Sequence, residues 1–195
     1  MRTARVERKT KETSIELELN LDGTGQWQID TGVRFFDHML SHVAVHGMLD
    51  LVVRATGDLH VDAHHTVEDV GIVLGVALRQ ALGDRQGIAR YGQSLLPMDE
   101  ALVLVALDFS NRGLYAGALP FTTEHVGGFD VQLVTEFLRA VAHNAGMTLH
   151  VRLICGDNTH HQAEAVFKGL GRALRQAVAL DAQRQDTVPS TKGVL

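Results

Sequence analysis

The sequence predicts an α/β fold in two related halves, with the helices on one face of antiparallel-rich sheets. Three observations predict it: a long internal repeat, two helices carrying the same apolar stripe, and short alternating or β-branched runs between them. Residues 64–81, HHTVEDVGIVLGVALRQA, align on residues 160–177, HHQAEAVFKGLGRALRQA, at an offset of 96. Eleven of these 18 positions are identical, where average residue usage gives roughly one by chance. Upstream, FFDHMLSHVAVHGM (35–48) parallels LVTEFLRAVAHNAGM (133–147), which sets Leu40 on Leu138, Val43 on Val141 and Ala44 on Ala142. His38 then lies opposite Glu136, and Gly57-Asp58 falls on Gly156-Asp157. A three-residue insertion within LHVDA separates the halves before the first His pair. The chain therefore reads as one compact domain of two repeats, 1–92 and 93–195.

The elements follow in order. Ser14 to Leu21 alternates apolar and polar residues, as a half-buried strand does. Trp27–Asp30 and Leu114–Ala118 are short partner strands. Phe35–His46 and Val131–Asn144 are helical, each ending near glycine. Leu49–Ala55 and Thr148–Ile154 are β-rich strands. Ala101–Phe109 is a more continuous apolar run, expected to be covered on both faces. The last helix of each half has a stripe at i, i+3, i+4, i+7: Val67, Val70, Leu74, Ala77, Leu78, Ala81, and Ala163, Val166, Leu170, Ala173, Leu174, Ala177. One half cannot bury both its sheet and its helices alone, so the halves should pack together.

Composition narrows the function. With 45% hydrophobic and 21% charged residues the 195-residue chain reads as a soluble globular protein. Aromatics are 5%, so Val, Leu, Ile and Ala must carry the core. A formal charge of -5 argues against nucleic acid as a partner, since a phosphate backbone needs a basic face. The longest apolar run, Ala101–Leu107, is too short to span a bilayer, and the charged start MRTARVERKTKET has no apolar signal region. One cysteine, Cys155, excludes an intrachain disulfide and fits a reducing cytoplasm.

The unusual feature is 11 histidines, clustered. Each repeat has HHxxE at a helix start. His64 and Glu68 are i, i+4 and share a face, as do His160 and Glu164. The second His of each pair, His65 or His161, points about 100° away, so one pair can serve two ions. Imidazole with carboxylate suits a borderline or hard divalent metal such as Mn, Fe or Zn. A single HHxxE is often an exposed polar helix start; its duplication in otherwise diverged halves favours ligands. Pseudo-twofold exchange suggests one ion on His38, His65, His160 and Glu164, and another on Glu136, His161, His64 and Glu68. His42 and His46 lie one and two turns beyond His38 and could line the pocket, whereas His60, His125, His143 and His150 have no spacing argument.

HHTVED with VGIVLGVAL, THHQAEAVFKGLGRAL, FFDHML and the terminal PSTKG together resemble the imidazoleglycerol-phosphate dehydratase family, over essentially the whole chain from Arg5. The resemblance implies a monofunctional hydro-lyase of histidine biosynthesis, converting imidazole glycerol phosphate to imidazole acetol phosphate. It implies two manganese ions per active site, a duplicated α/β unit with helices sandwiched between two sheets, and a cubic homo-oligomer of twenty-four subunits with sites shared between them. His38, His64, His65, Glu68, His160, His161 and Glu164 match metal-ligand positions; Glu136 sits where some members have histidine. Glu12 matches a substrate-contacting glutamate, Arg90, Arg112, Ser190 and Lys192 match phosphate-contacting positions, and Lys168 matches a substrate contact. Guanidinium forks suit phosphate oxygens, and PSTKG adds the Ser190 and Thr191 hydroxyls beside Lys192. Taken alone, these cations and Glu12 would be solvated surface groups, and PSTKG a frayed tail.

Chemically, the proton to be lost sits on a carbon with no adjacent carbonyl. On that resemblance the substrate imidazole would be the electron sink: two bound metals would stabilise imidazolate, which would expel hydroxide to leave a diazafulvene-like intermediate whose C–H loss would give the enol. Glu12 is the first candidate proton shuttle, and Glu68 and Glu164 could double as shuttles. Two rivals fit part of the pattern. A dinuclear hydrolase predicts release of inorganic phosphate; a non-catalytic metal-binding or assembly protein leaves Arg90, Arg112 and PSTKG without a role.

Overall fold

Two four-stranded sheets form the outer layers, and four helices fill the space between them. The computed structural model describes residues 1–183 and 187–193; the last two positions of the second repeat lie outside them. The first half runs β1 (Thr3–Lys9), β2 (Thr13–Asn20), β3 (Trp27–Asp30), α1 (Arg34–Gly47), β4 (Asp50–Gly57), α2 (His64–Leu82). The second runs β5 (Tyr91–Met98), β6 (Ala101–Asp108), β7 (Leu114–Ala118), the hairpin β8 (His125–Val126) and β9 (Phe129–Asp130), α3 (Gln132–Ala145), β10 (Thr148–Cys155), α4 (Thr159–Val178). Sheet orders are β1-β2-β4-β3 and β5-β6-β10-β7, antiparallel except for the parallel β3/β4 and β7/β10 edges.

Each sheet holds its own two helices on one face, and the helices then pair across the halves: α1 on α4, α2 on α3. All twelve stripe residues of α2 and α4 are buried, as the 3.6-residue period requires. The crossings are close because glycine sits at the contact in both repeats. A Cβ on Gly75 would stand 2.7 Å from the Val141 carbonyl oxygen, and one on Gly171 2.8 Å from that of Val43. Gly75 and Gly171 are aligned positions, and so are Val43 and Val141.

The repeat offset changes from 98 on α1/α3 to 99 at Gly57/Gly156, and the structure shows why. The β10/β6 register shifts between Leu153 and Cys155, a bulge that absorbs one extra residue.

Two expectations need correction, and one holds with a change of residue. β6 is covered on one face, not both: Ala101, Val103, Val105 and Leu107 are buried, whereas Leu102, Leu104, Ala106 and Asp108 face outward. Both helices end near glycine as expected: α1 closes on Gly47 with Met48 left-handed at φ 54°, and Gly146 (φ 62°) takes the left-handed place after α3. Finally β1, β5 and the β8–β9 hairpin add to the strands expected. β1 and β5 are edge strands. β1 is charged on its open face, and β5 carries Pro97, which an edge tolerates.

Candidate active site: a histidine–carboxylate cluster and a cationic cleft

The cluster lies where α1 meets the first turns of α4. Asn158 caps α4, its side chain accepting from the N–H groups of His160 and His161. That cap fixes the helix start, so His160 and Glu164 rise on one face toward α1. His160 Nε2 lies 3.1 Å from Glu164 Oε2, and His38 Nε2 lies 3.7 Å from the same oxygen. Ligand atoms of His38, His160 and Glu164 all fall within 4.8 Å of one another. The β8–β9 hairpin braces this end: Phe129 is buried against Phe35, centroids 5.2 Å apart, and Phe35 meets the His160 ring edge-on at 5.4 Å.

Behind the cluster, His42 Nε2 stands 3.5 Å from Glu164 Oε1 and Lys168 Nζ 2.5 Å from it. Burial pushes the Glu164 carboxyl up, but the Lys168 ammonium and His42 outweigh it, leaving the group below its ordinary value. Burial also lowers His42, to about 4, against the attraction of Glu164. His46, one turn further, is lowered by burial and then by Lys168.

The other expected ligands sit elsewhere. His64 Nε2 is 3.7 Å from Glu68 Oε2, the i, i+4 pair at the start of α2. His65 does not join His38. Because α2 packs on α3 rather than on α1's partner, His65 is held at the first sheet's edge, Nδ1 3.0 Å from Asp58 Oδ2 and 3.8 Å from Glu12 Oε2. Glu136 is engaged by Arg139, whose Nη1 lies 2.7 Å from both carboxylate oxygens. His161 Nδ1 is 2.7 Å from Glu100 Oε2. Thus neither four-residue grouping assembles within one chain, and His38–His160–Glu164 is the ligand cluster among the described residues. The His161 contact, then the N–H of Asn158, lowers Glu100 to about 2. Reciprocally, Glu100 raises His161 and Asp58 raises His65.

A second feature is an open cleft of about 780 Å³ that gathers Arg90, Arg112, Ser190, Thr191 and Lys192. Arg90 sits there at φ 74°, donating to Asp108 from Nε (2.6 Å) and Nη2 (3.2 Å) and to the Pro189 carbonyl from Nη1 (2.7 Å). Its backbone N–H donates to the Ala177 carbonyl, 2.9 Å, near the end of α4.

Sequence reasoning missed Asp58 and Glu100, the carboxylates that hold the second His of each pair. Asp58 carried a signal, since Gly-Asp recurs in the second repeat. Glu100 carried none until the strand registers placed it.

A tandem α/β repeat with this N/O cluster and this cationic cleft is the make-up of an enzyme for a small anionic substrate, and the relatives place it among the carbon–oxygen lyases that remove water. The chain belongs to the imidazoleglycerol-phosphate dehydratase family, whose model matches residues 31–174. It is 62% identical to the imidazoleglycerol-phosphate dehydratase of Desulforamulus reducens over 194 residues, covering 100% of this chain and 98% of that one. With the enzyme of Moorella thermoacetica the identity is 58% at the same coverage, 100% and 98%. The crystal structure of the Pyrococcus furiosus enzyme in complex with (S)-C348 superposes with a TM-score of 0.85 at 40% identity, covering 97% of this chain and 100% of that one. The Staphylococcus aureus enzyme gives a TM-score of 0.84 at 38% identity, covering 92% and 99%. The family works in histidine biosynthesis, so the hydrolase and non-catalytic readings give way to a dehydratase. No helix among the described residues is long and apolar enough to cross a membrane.

Proposed function

We propose that this chain is a cytoplasmic, manganese-dependent enzyme that converts imidazole glycerol phosphate to imidazole acetol phosphate and water, with active sites completed between subunits of a homo-oligomer. The observation that carries the metal reading is the His38–His160–Glu164 cluster, where two imidazoles and a carboxylate converge within 4.8 Å. Nitrogen and oxygen donors at that spacing fit a divalent cation of the manganese type. A bound cation of this kind supplies Lewis acidity toward the substrate imidazole. His64, Glu68, His65, His161 and Glu136 are the other residues expected to hold metal, two ions per site.

Geometry favours sharing. The cluster stands at residues 160–164, at the start of α4, and Arg90 is bonded at residue 177 near its end. At 1.5 Å per residue those points are roughly 20–25 Å apart, too far for one small phosphate ester within one chain.

In a shared site Arg112, Arg90, Ser190, Thr191 and Lys192 hold the phosphate and so fix the reacting carbons. Lys168 and His46 line the ring side. The hydroxyl on the carbon next to the imidazole leaves as water, a ring proton departs, and the substrate becomes a diazafulvene-like intermediate. Loss of the proton from the neighbouring carbon, with a proton returned to the ring nitrogen, restores the ring and gives the enol of the ketone. Glu12 is exposed beside His65 and is the proton carrier of choice, with Glu68 and Glu164 next.

The test is to strip and restore Mn and assay imidazole glycerol phosphate, reading the ketone as its enolate in base and free phosphate in parallel. Mn-dependent ketone without phosphate is expected. Ketone formation at full rate without metal, or phosphate release, would overturn the reading. Lys192→Ala and Arg112→Ala should each raise KM for the substrate about tenfold or more, as loss of a charged hydrogen bond implies; an unchanged KM removes the residue from the phosphate cradle.

A further inference from the structure

In both repeats the second histidine of the HH pair presents Nδ1 to a carboxylate from outside its helix. His161 Nδ1 meets Glu100 Oε2 at 2.7 Å, and His65 Nδ1 meets Asp58 Oδ2 at 3.0 Å. The two carboxylates are not equivalent positions. β2 pairs Leu17 with Val53, and β6 pairs Val105 with Val151. Val53 and Val151 are aligned on the repeat, so Leu17 corresponds to Val105 and Glu12 corresponds to Glu100. Asp58, in turn, corresponds to Asp157.

The duties are therefore exchanged between the halves. In the second, Glu100 takes the ring through Oε2, and its Oε1 accepts the N–H groups of Asn158 (2.8 Å) and Asp157 (3.2 Å). Asp157 lends that bond only its backbone. In the first, Asp58 takes the ring and Glu12 stands back at 3.8 Å. Asp58 Oδ1 is buried with no hydrogen-bond partner among the described residues, so its hold on the His65 ring is the polar contact that explains its place.

We infer that Asp58 and Glu100 are positioning residues: each fixes the ring orientation and the Nδ1–H tautomer of its histidine, and the use of Asp58 in the first repeat leaves Glu12 3.8 Å from that ring, outside hydrogen-bond reach. A carboxylate can only accept, so the ring proton sits on Nδ1 and the lone pair on Nε2 faces outward. A carboxylate behind an imidazole both orients it and makes it a stronger ligand. The first repeat thereby keeps a carboxylate outside the ring's hydrogen bond where the second keeps none, one further difference between the half-sites. The inference rests on the reading that His65 and His161 bind metal.

The test uses the full-length assembled protein. Glu100→Gln keeps an oxygen for the two backbone N–H groups but can offer an amide donor to Nδ1; Asp58→Asn does the same to His65. Two quantities are read: the Mn dissociation constant by chelator competition, and the histidine 15N pattern of metal-free protein by magic-angle-spinning NMR. Each variant should weaken one class of site by about 10–100-fold and move one ring from the Nδ1–H to the Nε2–H pattern, while Glu12→Gln changes neither. Unchanged affinity and unchanged 15N pattern in both variants would overturn the positioning role, and weakened metal binding in Glu12→Gln would overturn the asymmetry. His161→Ala with full metal occupancy would instead sink the ligand reading beneath it.

Discussion

At the scale of single residues, the cluster works because one carboxylate is surrounded. Glu164 is 7% exposed and is reached by His38, His42, His160 and Lys168. Lys168 holds it ionised, and His42 stays neutral because burial lowers it to about 4 from an ordinary 6.5. The sign follows. Between those values the unfolded chain takes up a proton at His42 that the folded chain refuses, so this stability is present above pH 6.5 and lost as pH falls toward 4. His65 and His161, raised by their carboxylates, act oppositely: their contribution is present below pH 6.5 and fades above it, and at exposed sites it is small. Metal-free protein should therefore need less urea to unfold at pH 5 than at pH 7, and His42→Gln should flatten that difference; an equal slope in both proteins would refute it. His160 and Glu164 were legible because the repeat displayed their positions twice at helical spacing, and His38 because pseudo-twofold exchange set its helix beside them. Asp58 and Glu100 were not, because each reaches its histidine through tertiary placement that no local period encodes.

At the scale of elements, the sequence announced what is periodic and hid what is marginal. The stripes of α2 and α4 and the alternation of β2 were readable because half-burial imposes a period. β1 and β5 lie at sheet edges, where one open side relaxes the pattern and admits charge or proline. The crossings that place the site depend on Gly75 and Gly171, which the alignment showed as a shared glycine without its reason. Gly171→Ala forces a methyl to within 2.8 Å of the Val43 carbonyl oxygen and 2.9 Å of the Gly47 nitrogen, both backbone atoms. Overpacking of this kind costs about 1–3 kcal/mol, so its urea midpoint should fall, and metal affinity with it as α4 shifts on α1. Gly128→Ala is the control: nothing lies within 4 Å of its Cβ position, and about 0.5 kcal/mol or less is expected. Equal stability of the two variants would mean that the helix pair tolerates a wider crossing.

At the scale of the whole molecule, the two sheets share a fold but not an outer surface. On the first, the outward positions of β1 and β2 are charged: Arg5, Glu7, Glu16 and Glu18, joined by ion pairs from Arg5. The corresponding outward positions of β5 and β6 are Gln93, Leu95, Leu104 and Ala106, with Leu95 61% and Leu104 36% exposed and paired across the strands. On β10 Arg152 pairs with Leu104, and the exposed Ile154 lies beyond it in the bulge. Both sheets need the same inner face to cover helices, so inner burial cannot explain the difference; the exposed leucine pair on one repeat alone is the patch through which the proposed assembly would form. In the proposed shared site the occupant would be a second copy of this chain, since the cluster and the cationic cleft lie toward opposite ends of α4. Leu104→Glu copies what the first repeat already carries at Glu16, so the fold accepts it. It should leave the circular-dichroism spectrum and the His38–His160–Glu164 cluster intact while lowering the assembly mass measured by light scattering. Activity should fall with assembly, and mixing Leu104→Glu with a wild-type excess should restore part of it. A wild-type mass already equal to the 21.3 kDa chain would overturn the shared site.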